Sequence, residues 1–194
     1  MGNYQAYEKY KDSGVEWLGD IPEHWEVKKI QYISRLKSGE NITSHQIDKE
    51  GLYPVFGGNG FRGFFESYTH DGQYVLIGRQ GALCGNINYT SGKFWASDHA
   101  VVVHPCIKFN FFWLGSLLKA MNLNQYSTSA AQPGLSVEQI ARLKIPFPPI
   151  DEQESIANFL NRKTKQIDDL IAKKEALLTK LDEKRSAIIR LHRK

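Results

Sequence analysis

Arg79 and Gln80 stand side by side between Gly78 and Gly81. A guanidinium can fork onto O6 and N7 of guanine, and a primary amide can pair with N6 and N7 of adenine. Asn59 and Arg62, three positions apart in Gly58-Asn59-Gly60-Phe61-Arg62-Gly63, repeat that combination of base-reading groups. Lys37 with Ser38, Lys93, and the polar run holding Ser127, Thr128 and Gln132 add side chains suited to phosphate oxygens or base edges. Any one of them alone would be an ordinary solvated loop residue. Four such loops in one stretch of chain make a candidate nucleic-acid surface.

Other chemistries find less support. The run from Gly58 to Gly63 matches the G-x-G-x-x-G spacing of dinucleotide-binding turns, which work by presenting the pyrophosphate to a helix N-terminus. Here Phe64, Phe65, Glu66, Ser67 and Tyr68 continue as a strand, so these glycines are read as a hairpin loop that lets backbone approach another surface. Of the six histidines, only His99 and His104 come close to a cysteine, Cys106, and on a strand those two histidines point to opposite faces. No metal site is expected. No nucleophile elbow or paired-cysteine motif is present, and Pro148-Pro149 lacks the leading Asp or Asn of an amino-methyltransferase motif. Neither a catalytic residue nor a cofactor is expected.

The loops need a scaffold, and the chain supplies a β-rich one. From residue 50 to residue 105, apolar runs of four or five residues alternate with glycine-rich turns: Tyr53–Phe56, Phe61–Phe65, Tyr74–Ile77, Ile87–Tyr89 and Ala100–Val103. That pattern predicts an antiparallel or barrel-like β domain. A strand is also expected from Glu26 through Val27, Ile30, Tyr32 and Ile33, and helices over residues 110–122 and from Ser136. Residues 1–26 form an arm with two tryptophans but neither helical nor strand periodicity. Two cysteines in 194 residues make no disulfide framework and suit a reducing, cytoplasmic setting. No apolar run is long and uninterrupted enough for a membrane-spanning helix. Charge varies by segment: 2 Lys and Arg face 6 Asp and Glu in residues 1–26, but 12 face 7 in residues 27–150. A basic middle segment is compatible with a polyanion.

Residues 151–194 read as a single long helix. The prolines of Ile145-Pro146-Phe147-Pro148-Pro149 hold the preceding backbone extended. Asp151 followed by Glu154 has the spacing of a capping box, and no Pro or Gly follows. At 1.5 Å per residue the helix would be roughly 65 Å long. With Leu160, Ile167, Lys174, Leu181 and Ile188 at heptad position a, position d receives Lys163, Leu170, Leu177, Lys184 and Leu191. Ile171 and Leu178 widen the stripe. Such a stripe predicts a coiled-coil helix that pairs with another helix. The expected class is therefore α+β, a β-rich domain with short helices followed by one long C-terminal coiled-coil helix.

Two quoted stretches carry a family resemblance, the arm "YKDSGVEWLGDIPEHWEVKKI" and the tail "LKIPFPPIDEQESIANFLNRKTKQIDDLIAKKEALLTKLDEKRSAII". Both resemble the specificity subunit of type I restriction–modification systems. The segments "YPVFGGNG", "LIGRQGALCGNINY", "FWASDHAVVV" and "STSAAQPGLSVEQIARL" are similar to that family's target recognition domain. The resemblance implies residues 1–26 as arm, 27–150 as target recognition domain and 151–194 as the helix for dimerisation and methyltransferase docking. It implies a non-catalytic subunit that directs methyltransferase and restriction subunits to a bipartite double-stranded DNA target. Full-length members hold two recognition domains joined by two antiparallel helices. The single arm, domain and helix here resemble a half-length form, expected to pair with a second copy or another half-length subunit. A twofold pair would read a palindromic split site. The alternatives are a coiled-coil interaction module that binds no DNA, and a methyltransferase remnant.

Overall fold

The computed structural model describes residues 6–15, 17–81, 83–127 and 134–191. It divides into two units, residues 1–154 and residues 155–194.

Two four-stranded sheets form the body of the first unit. The first has the order β6-β5-β10-β7, built from β5 (Tyr53–Gly57), β6 (Gly60–Phe65), β7 (His70–Asp71) and β10 (Lys93–Ala96). The second has the order β4-β11-β8-β9, from β4 (Ser34–Ser38), β8 (Tyr74–Gly78), β9 (Ile87–Thr90) and β11 (Ala100–Pro105). The predicted hairpins at β5–β6 and β8–β9 are present. Among the strand pairs of these two sheets one is parallel, that of β10 with β5. The chain leaves the first sheet to build β8 and β9 in the second, then returns along β5 in the same direction.

The continuous apolar run Ala100-Val101-Val102-Val103 makes β11 a central strand, buried on both faces. Val102 pairs with Leu76 of β8, and both pack with Phe94 and Ala96 of the first sheet, flanked by Phe56 and Tyr74. Val101 and Val103 fall on the opposite face by strand alternation. On the second sheet, α2 (Phe111–Ala120) packs against β8 and β9, and α3 (Val137–Arg142) packs against β4. Asn110 caps α2 by accepting a hydrogen bond from the Trp113 amide at 2.9 Å. Ser136 and Gln139 cap α3 reciprocally.

Three local expectations differ from the structure. The strand foreseen from Glu26 to Ile33 breaks into β3 (Glu26–Lys29) and a one-turn helix, α1 (Ile30–Ile33). Ile30 and Ile33, three apart, are both fully buried, which one helical turn achieves and a strand would not. The arm is not devoid of strands: β1 (Tyr10–Asp12) pairs antiparallel with β2 (Asp20–Pro22). The long helix α4 spans Ile150–Leu191, and the Pro149 carbonyl accepts from the amides of Glu152 and Gln153. Asp151 is therefore a first-turn acid, favourable near the positive end of the helix dipole, and not the cap.

β12 (Lys144–Phe147) pairs antiparallel with β3, so Pro146 sits in a strand, and Pro148 and Pro149 link that strand to α4. Glu152 then gathers three donors from the arm. The Tyr7 hydroxyl donates to it at 2.6 Å, the Trp25 indole donates at 2.9 Å, and His24 Nε2 lies 2.6 Å away. Beside it, buried Gln153 accepts from the Asn110 amide and donates to the Pro148 carbonyl, both at 2.8 Å. No helix among the described residues is long and apolar enough to cross a membrane.

Candidate nucleic-acid interface

The register of the second sheet assembles the site. β11 pairs Val101 with Ser38 on one side and Ala100 with Gly78 on the other, so the ends of β4 and β8 flank the start of β11. Arg79 follows Gly78 directly. Its amide donates to the His99 carbonyl at 2.9 Å, and its guanidinium Nη1 donates to Ser38 Oγ at 3.2 Å. The Arg79 carbonyl accepts from the Leu135 amide at 2.9 Å, and Gln80 bridges to Gly134. The backbone of this loop is tied down while the Gln80 side chain stays exposed.

The tip of the β5–β6 hairpin meets the same place. A Cβ on Gly78 would land on the Gly58 carbonyl oxygen, so these two backbones can pass only because position 78 is glycine. Asn59 Oδ1 accepts from Asn86 Nδ2 at 3.3 Å. Arg62 is the extra residue of a β-bulge: Phe56 faces Phe61 while Val55 faces Gly63. The result is an open cleft of about 340 Å³ lined by Gly58, Asn59, Phe61, Arg62, Gln80 and His99. Hydrogen-bonding groups converge there on rigid backbone, which is what reading base edges demands. His99, Phe61 and Asn86 join the site without having been singled out as base readers from sequence.

The structure thus brings together Ser38, Asn59, Arg62, Arg79 and Gln80. Lys37 is turned the other way by strand alternation, towards the His70–His104 pair. Both histidines are held below their usual range, first by burial and then by neighbouring positive charge, which Arg35 and Lys37 supply at His104. Lys93 begins β10, at the far end of that strand from the cleft, with its ammonium 4.7 Å from the centre of the Tyr68 ring. Ser127 lies near the Cys84 thiol in the loop after Gly81, where burial pushes that thiol up and it donates to Asn124 Oδ1 at 3.6 Å. Thr128 and Gln132 lie outside the described residues. No group of three His, Cys, Asp or Glu side chains suited to a metal ion occurs among the described residues.

In the second unit, every described side chain from Leu160 to Ile189 is exposed. Leu160, Ile167, Leu170, Ile171, Leu177, Leu178, Leu181 and Ile188 are between 37% and 62% exposed, and Ile189 joins them. The Leu191 side chain lies outside the described residues.

Comparison with known proteins gives these features a family. Residues 22–180 match the model described as the type I restriction modification DNA specificity domain. The specificity subunit of the type I restriction enzyme EcoprrI from Escherichia coli is 41% identical over 162 residues, covering 81% of this chain and 40% of that protein. The fold is similar to the type I S subunit of M. genitalium, with a TM-score of 0.67 at 19% identity, covering 77% of this chain and 41% of that one. A chain from a structure of type I R-M complex assembly and conformational transition gives a TM-score of 0.66 at 21% identity, covering 86% of this chain and 46% of that one. The chain spans less than half the length of each of these relatives. The match over residues 22–180 and the 41% identity to a specificity subunit show that this chain belongs to the type I restriction–modification DNA specificity family.

Proposed function

We propose that the first unit binds one half of a bipartite double-stranded DNA target and that α4 pairs with a second helix to hold two such units on one duplex. The observation that carries this is the convergence of Asn59, Arg62 and Gln80 at one cleft, with Arg79 next to Gln80 and held by Ser38, on loops tied by backbone hydrogen bonds. Arg79 and Gln80 face base edges in the major groove, and Asn59 and Arg62 read from the neighbouring hairpin. Ser38 positions Arg79 through its hydroxyl. Lys37, Lys93, Ser127, Thr128 and Gln132 meet phosphates or base edges outside the cleft. The chain acts without chemistry of its own, as the cytoplasmic specificity component that brings methyltransferase and restriction subunits to the site. The apolar stripe of α4 takes a second copy or another half-length subunit, and with a second copy the target is palindromic.

Methylation mapping in cells carrying this chain and its cognate methyltransferase tests the proposal. The expected result is one split motif with a fixed spacer. A methylome unchanged by the presence of the chain would refute it, and so would a partner pulled down through α4 by a chain that binds no duplex in salt-dependent assays.

A further inference from the structure

The cleft that holds four hydrogen-bonding side chains also holds one side chain that cannot make a hydrogen bond. Phe61 is 56% exposed, although its neighbours in the same strand, Phe64 and Phe65, are partly buried. Among the residues lining the cleft it alone presents an apolar group. Its exposure has a geometric cause. The bulge at Arg62 breaks strict alternation, so Phe61 and Arg62 are both exposed where a regular strand would send one of them inward. The ring is not loose, since it sits edge-on to Phe64 at 5.2 Å and to Phe56 at 6.2 Å between centroids. A Cβ on Gly60, at φ +95°, would meet the Asn88 side-chain oxygen at 2.8 Å, so the position immediately before the ring suits only glycine.

Each base pair of the major groove offers donors and acceptors, and only thymine adds a methyl group there. A firmly held phenyl ring beside Arg62, Gln80 and Asn59 is matched to that feature and to no other on a base edge. We propose that Phe61 is a specificity-determining residue that packs on the C5-methyl group of a thymine in the half-site. This rests on the DNA-reading role proposed above.

The test replaces each half-site thymine in turn by deoxyuridine, which removes the methyl group and leaves the hydrogen bonds unchanged. Affinity of the complex of this chain with its methyltransferase is measured by fluorescence anisotropy at constant salt. One substitution should weaken binding about fourfold, the worth of one buried carbon group. Phe61→Leu should keep that discrimination. Phe61→Ala should bind the thymine and uracil duplexes alike. Equal affinity of the unaltered protein for every deoxyuridine duplex, or a half-site without thymine in either strand, would overturn the assignment to Phe61. That arm needs no variant, so a misfolded Phe61→Ala cannot rescue it. Failure to bind the mapped duplex in preference to a scrambled one would instead overturn the DNA-reading role.

Discussion

At the scale of single residues, Arg79 joins two requirements. Its backbone is fastened to His99 and Leu135, and its guanidinium is steered by Ser38. Arg79→Ala should relax recognition at one base position, at a cost of about 1–3 kcal/mol. Binding to a set of single-base target variants would check this, and unchanged preference would remove Arg79 from the reading surface. The placement of Arg79 and Gln80 just past a strand end was legible in the sequence because glycines bracket them, whereas Arg62 lies within β6 at a bulge that the glycines around it do not reveal. Lys37 and Lys93 were not placed so well. Their distance from the cleft depends on which end of a strand they occupy and which face they take, and both follow from register with strands far along the chain. Phe61 was overlooked for a related reason: its exposure is created by a bulge, and composition carries no sign of it.

At the scale of elements, two joints do the positioning. One is the contact of Gly78 with Gly58. Gly78→Ala would drive a methyl group into a backbone carbonyl and force the β5–β6 tip away from the β8 end. A loss of about 1–3 kcal/mol in urea unfolding is expected, with weaker discrimination between target and non-target duplexes. The other joint is Glu152. Burial alone would raise its pKa, but hydrogen bonds from Tyr7, His24 and Trp25 outweigh that and hold it below the usual range. The fold therefore favours its ionised form. That contribution is complete above about pH 4.3, the value for a free glutamate, and fades as pH falls through the lower folded value. Burial and the Glu152 carboxylate push Tyr7 up to about 12, so its neutral form is favoured and its share is lost as pH rises from 10 through that value. Tryptophan fluorescence of the arm should show it loosening at both extremes, and Glu152→Ala should abolish the acid dependence and reduce the alkaline one, of which burial of Tyr7 is the larger cause. Here too the sequence was partly readable. The extended prolines and the long helix followed from backbone rules, whereas a glutamate collecting three arm residues more than 120 positions away does not show in any local pattern.

At the scale of the whole molecule, the proposed function assigns spacer and symmetry of the target to α4. Deleting one heptad, such as Ile167–Lys173, shortens the helix by about 10 Å at 1.5 Å per residue. The mapped spacer should change while each half-site sequence stays the same, and an identical spacer would show that α4 does not set the separation. The stripe itself was readable from heptad spacing, and in the single chain it is exposed along with every other described side chain from Leu160 to Ile189. What occupies it is a property of an assembly, which one chain does not display. A last consequence comes from the pairing of β3 with β12. Glu26 lies across from Phe147, so the backbone enters the recognition body and leaves it through adjacent strands. A body whose two ends meet behaves as an interchangeable cassette. In the proposed DNA-reading role, everything between Lys29 and Lys144 could be exchanged for a differently reading module without altering the seat it plugs into, so a new target word would not require a new frame.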